Sequence, residues 1–232
     1  MKLTLRATAL IVLLLAAATI ASANGVSLTL NNGGNDVMGG VYVGPYNFTT
    51  SNGQSLQLDC DDFNHDVYQN ESWKATTSTL PALGSVVAFS TGQFSGSTLA
   101  EYEEVAYLAQ QIFALGPENS GNAATIGYMQ YALWDIFTCS NGVGSSGCAS
   151  TGLYDPTNLV GYWFGQAQNN YQNGNYSDVV IYTPVAGSQN PSNDGLPQEY
   201  IGIVATPEPS SLALLVAGML ALMLLVIRRG RA

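Results

Sequence analysis

The chain has 232 residues, 47% of them hydrophobic and 10% aromatic, and its 16 acids against 6 bases give a formal net charge of −10. Such a surface repels nucleic acid and anionic lipid, so neither is an expected partner. The wealth of aromatic and β-branched residues excludes a disordered chain, and the length suits a single domain with its own core.

In chain order, residues 1–23 read as a secretory signal peptide. Lys2 and Arg6 supply the positive start, Ala9 to Ile20 the apolar stretch, and Ala21-Ser22-Ala23 the cleavage site, with cutting expected before Asn24. The exported body is then residues 24–206. Five of the 6 bases fall outside it, and so does Glu208 of the 16 acids, which leaves 15 acids against Lys74 alone. General solubility accounts for this balance. It also favours cationic or amine-bearing partners over anionic ones.

From Val26 to about Val67 the pattern is β, with "VSLTL", "GGVYVGPYNFTT" and "QSLQLDC" separated by Gly, Asn and Ser turns. In the third run, strand alternation puts Leu56, Leu58 and Cys60 on one face and Gln57, Asp59 and Asp61 on the other, so Cys60 points into the core. In the segment after it, Asp62, Asn64 and Asp66 mimic the first three ligands of a calcium-binding EF-hand loop. The loop's glycine is missing and its twelfth position is Trp73, so a solvated acidic turn is the expectation and no metal is called for. His65 is the single histidine. An offset of five residues on a strand would set it opposite Cys60, which argues against a Cys-His hydrolase pair.

Helical patterns follow. "STLAEYEEVAYLAQQIFAL" has Ser97 and Thr98 as cap candidates, Glu101, Glu103 and Glu104 in the first turns, and Gly116-Pro117 as a stop. Its apolar stripe is Tyr102, Val105, Leu108, Ala109 and Ile112. A second helix opens at Asn122 and closes near Cys139. Its stripe is Ile126, Met129, Leu133, Trp134 and Phe137, with the carboxamide of Gln130 in the middle. Cys139 and Cys148 enclose "SNGVGSSG", a ring suited to a disulfide in an exported protein, worth roughly 3 kcal/mol in the chain-entropy model. A third helix is expected from Pro156 to Tyr171. Its cluster Tyr162, Trp163 and Phe164 suits core packing or stacking on a sugar. The chain then returns to strand in "DVVIYTPV" and "EYIGIVA". The order β, α, β predicts an α+β domain, a sheet or partial barrel of N- and C-terminal strands with a packed central helical segment.

Two inward-facing residues stand out. Cys60 is a thiol left without a disulfide partner, and Gln130 is a carboxamide whose unpaired burial would cost roughly 1–3 kcal/mol. One reaction removes both problems. The Cys60 sulfur attacks the Gln130 side-chain carbonyl, ammonia leaves, and an internal thioester forms.

These residues resemble the thioester domains of bacterial surface adhesins, whose helix motif is Thr-Gln-x-Ala-Ile/Val-Trp, preceded by a cysteine on a strand. Here the helix reads Met129-Gln130-Tyr131-Ala132-Leu133-Trp134. Gln130, Ala132 and Trp134 match, while Met129 and Leu133 depart from the pattern. The resemblance implies a stoichiometric acyl transfer to an amine-bearing surface protein or polysaccharide. Met129 and Trp134 would shield the bond, and neither enzymatic turnover nor a cofactor is involved. The alternative is a non-covalent structural or carbohydrate-contacting component of an exopolysaccharide or biofilm matrix.

At the C-terminus, Pro207-Glu208-Pro209 precedes the uncharged apolar run Leu212 to Ile227 and then Arg228, Arg229 and Arg231. Residues 207–232 resemble the PEP-CTERM sorting signal. That implies exosortase as a partner, a transient inner-membrane anchor, and a final place on the surface or in the extracellular matrix of a Gram-negative bacterium. An ordinary C-terminal anchor would leave the Pro-Glu-Pro unexplained.

Overall fold

The structure, a computed structural model, describes residues 25–34, 36–80, 98–116, 121–139, 143, 145–190 and 195–204, with the single further position 219. The signal segment and the sorting segment, Met219 apart, lie outside the described residues. No helix among the described residues is long and apolar enough to cross a membrane.

Among the described residues there are eight strands: β1 (Val26–Asn32), β2 (Val37–Met38), β3 (Val41–Tyr42), β4 (Tyr46–Thr50), β5 (Ser55–Cys60), β6 (Ser72–Thr79), β7 (Val179–Pro184) and β8 (Tyr200–Ile203). Six of them close into a barrel in the order β1-β4-β5-β8-β7-β6, and β2 and β3 form a separate hairpin. All pairings are antiparallel. The N- and C-terminal strands therefore share one sheet, as the β, α, β order predicts, and closure removes its edges. Strand β6 was not anticipated by the sequence reading.

The registers set the barrel's two faces. Leu30 opposes Phe48, Leu28 opposes Trp73, Tyr46 opposes Leu58, and Cys60 opposes Tyr200. Opposed residues share a face, so these form the interior. Phe48, Trp73 and Tyr200 meet there, with ring centroids 4.7 Å apart for Phe48–Tyr200 and 6.0 Å for Trp73–Tyr200. The outer face of β5, β7 and β8 carries Asp59, Ile181 and Ile201, which are also fully buried.

That outer face is covered by helices. These are α1 (Leu99–Ala114), α2 (Ala123–Thr138) and α3 (Leu159–Asn170), and a single 3₁₀ turn (Tyr171–Asn173) follows α3. Helix α1 begins with a capping box: the Thr98 side chain accepts from the Glu101 N–H, and the Glu101 carboxylate accepts from the Thr98 N–H. Its stripe Tyr102, Val105, Leu108, Ala109 and Ile112 is wholly buried. Helix α2 is buried almost all round, from Ile126 to Ile136, because it packs between α1, α3 and the β2–β3 hairpin. Helix α3 is shorter than the expected Pro156–Tyr171. The Asp155 carboxylate caps its start by accepting from the Leu159 and Val160 N–H groups at 2.9 and 2.8 Å. Tyr162 of its aromatic cluster is exposed.

Cys139 and Cys148 are joined in a disulfide, S–S 2.03 Å. The loop they close is strapped to the end of α2. Asp135 accepts from the Ser150 N–H at 3.0 Å and from its hydroxyl, and Thr138 Oγ1 accepts from the Ala149 N–H at 3.0 Å. Asp135 lies beside the two sulfurs, but sulfurs bound to each other are not thiolate ligands, so this is no metal site.

Candidate functional site

Cys60 ends β5 at the barrel mouth and is fully buried. Its Sγ lies 3.2 Å from the Asp62 carbonyl oxygen, to which the thiol donates. Gln130, in the middle of α2, is also fully buried and reaches the same residue. Its Nε2 donates to the Cys60 carbonyl oxygen at 2.7 Å, and Trp134 Nε1 donates to that oxygen at 2.8 Å. Gln130 and Trp134 are four residues apart, one above the other on a helix face, so two donors converge on one acceptor. The Gln130 nitrogen therefore sits within one residue's dimensions of the sulfur.

Gln130 Oε1 has its own donor, the Gly44 N–H at 3.1 Å. Gly44 was not found from the sequence. It sits in the turn between β3 and β4 with φ +90°, and a Cβ there would lie 2.8 Å from Ile126 Cγ2. Only glycine brings the main chain this close to the helix. The available signal was the "VGPY" turn just before a strand, and nothing in it pointed to the amide 86 residues later. The puzzle of a buried carboxamide thus has a non-covalent solution: one N–H and one oxygen lone pair of Gln130 are satisfied.

Chemically, the Gly44 N–H aims at the oxygen that gains charge when a nucleophile adds to the Gln130 Cδ, which is the arrangement of an oxyanion hole. Burial, and after it the charges of Asp62 and Asp61, push the Cys60 thiol well above its ordinary range. The sulfur is therefore protonated near neutrality, and its proton has to leave as the sulfur attacks.

The expected solvated acidic turn is solvated only at its tip, where Asn64 and Asp66 are exposed, while the acids flanking it are buried. Asp59, Asp61, Asp62 and Glu71 are all between 0% and 1% exposed. The reason is the second covered face of the barrel, which strand alternation alone does not reveal. Asp62 is held as a local brace. Its carboxylate accepts from the Asn64 N–H at 3.0 Å and meets His65 Nδ1 at 3.1 Å, and the Glu199 N–H approaches at 3.4 Å. Asp62, Asn64 and Asp66 therefore do not present three free ligands to a calcium ion. The contact with Asp62 raises the His65 pKa, against the opposing effect of partial burial. Glu199 accepts from the Tyr102 hydroxyl at 2.8 Å, and burial raises its pKa to about 7. Burial also raises Asp59 to about 8 and Asp61 well above the usual carboxylate range. No described donor reaches the oxygens of Asp59 or Asp61. The charge of the nearby Glu199 raises Asp61 further, because two buried carboxyls close together do not both ionise.

Of the other expected site residues, Met129 is buried on α2, about 100° round the helix from Gln130. Trp134 packs against Tyr131 and against Phe63, with centroids 5.2 and 5.1 Å away. Pro207, Glu208, Pro209, Arg228 and Arg229 lie outside the described residues.

No protein-family description matches the chain, and no curated protein matches it. Among solved structures the chain is similar to the pilus-presented adhesin Spy0125 (Cpa). The TM-score is 0.44 at 11% identity, over 81% of this chain and 49% of that one. The chain spans about half the adhesin's length.

Proposed function

We propose that this is an exported surface protein that attaches covalently to amine-bearing partners through a thioester between Cys60 and Gln130. The observation that carries the reading is the buried contact of the Gln130 amide with the Cys60 main chain, with the Gly44 N–H on the amide oxygen. The Cys60 sulfur adds to Gln130 Cδ, the C–N bond breaks, and the thiol proton leaves with the nitrogen as ammonia. A partner amine then adds at the same carbon, the C–S bond breaks, and a proton from the amine passes to the sulfur. The product is an amide crosslink formed once per molecule. The single lysine in the exported body fits a protein that must not acylate itself. Export and sorting rest on the ordered signals at the two termini, with exosortase as the processing partner and the inner membrane as a transient station.

Intact mass tests the covalent step. Thioester formation lowers the mass by about 17 Da, and methylamine then adds without further loss. Cys60→Ala should abolish both changes. The opposite result, full mass and a titratable Cys60 thiol in the wild type, would leave the non-covalent matrix component as the standing reading. The satisfied hydrogen bonds of Gln130 are compatible with that outcome.

A further inference from the structure

A groove of about 380 Å³ opens beside the buried pair. Its lining includes Trp134, which is bonded to the Cys60 carbonyl, and Gln198, whose Nε2 donates to the Asp62 carbonyl oxygen at 2.9 Å. The groove floor is thus the outer wall of the site. Tyr42 and Phe63 line it and are 53% and 36% exposed, and Asp66 and Gln69 stand exposed along it.

We propose that this groove binds a glycan carrying free primary amines, a chain of amino sugars, and presents it to the buried pair. The inference rests on the covalent reading only for the second half of that statement. Four features favour this ligand. Accessible aromatic faces suit the apolar faces of pyranose rings, and carboxamides such as Gln69 and Gln198 suit neighbouring hydroxyls. The volume lies in the usual range for small-molecule sites, about 300–1,000 Å³, with room for roughly two sugar rings. Asp66, in a body of 15 acids against Lys74, attracts an ammonium and rejects an anionic glycan. Finally, the barrel is closed, and the one hairpin strand that lines the groove, β3, is two residues long, too short to template an added peptide strand.

Binding is best measured by calorimetry on the purified Cys60→Ala protein, in which no covalent step can occur. The probes are a glucosamine tetramer, the N-acetylglucosamine tetramer and a tri-lysine peptide. The glucosamine tetramer should bind at least about tenfold more tightly than either of the others. Asp66→Asn should weaken it about fivefold or more, with the weakening largest at low salt, and Tyr42→Ala should weaken it about tenfold. Neither change should move the melting temperature. Equal binding of the two tetramers, preference for the peptide, or no binding at all would overturn the proposal. The covalent reading fails separately. If the wild type keeps its full mass while Cys60→Ala binds the tetramer, the groove stands without the bond. If the wild type loses ammonia but no glycan binds, the bond stands without the groove.

Discussion

Gln130 is a polar residue on a helix that is otherwise packed among apolar neighbours, and it is kept there by two main-chain contacts. The Cys60 carbonyl accepts from its nitrogen and the Gly44 N–H donates to its oxygen. Both depend on close approach, and Gly44 is the position with no slack. A methyl group there collides with Ile126, and φ +90° is strained for any L side chain. Gly44→Ala should therefore destabilise the protein by about 2 kcal/mol or more in chemical denaturation. It should also reduce the fraction of molecules that lose ammonia, because the donor to Oε1 moves. Retention of wild-type stability and full ammonia loss would show that Gly44 plays neither part.

At the scale of elements, the site is a strand end held against a helix middle. Strand β5 is fixed on one side by β4 and on the other by only two opposed pairs with β8, Asp59–Ile201 and Cys60–Tyr200. Helix α2 is positioned by α1, α3 and the β2–β3 hairpin, where the Tyr131 hydroxyl donates to the Met38 carbonyl oxygen at 3.2 Å. The support is therefore shared, and α1 contributes through its own start. Thr98→Ala removes the acceptor for the Glu101 N–H and should cost about 1 kcal/mol, read as a lower denaturation midpoint with an unchanged slope. Because α1 does not touch Cys60 or Gln130 in any described hydrogen bond, methylamine incorporation should be unaffected below the melting transition. A loss of incorporation at low temperature would mean that the cap also orders the site.

At the scale of the whole molecule, the barrel is covered on a second face, and that face carries carboxyls. Asp59 rises from 3.8 to about 8 and Glu199 from 4.5 to about 7, in both cases chiefly through burial. These groups hold their protons more tightly in the folded chain than in the unfolded one. Their contribution is complete below about pH 4 and is lost as pH rises through 7 to 8. The melting temperature should thus fall by at least about 5 °C between pH 5 and pH 8.5. Asp59→Asn, which removes the charge at nearly constant volume, should flatten this dependence and raise the melting temperature at pH 8.5. A melting temperature that climbs steadily from pH 5 to 8.5 would show that the acids are ionised and paired instead.

Local patterning determined the class of each central element. Helical spacing and a cap placed α1 and α2 to within a residue or two, and strand alternation turned Cys60 inward, because these signals act between neighbours in the chain. Strand β6 was legible in principle: in "SWKATTST" Trp73 and Ala75 are buried and Lys74 and Thr76 exposed, but the Thr- and Ser-rich run is short of the apolar residues that mark a strand. The sequence also marked Cys60 and Gln130 as out of place. Tertiary structure alone decided that the Gln130 amide reaches the Cys60 main chain, that Gly44 supplies its donor, and that Asp59 and Asp61 are buried. Each of these depends on barrel closure and on helices laid over its outer face. Such contacts join residues distant in the chain, and no local period encodes which of them will meet.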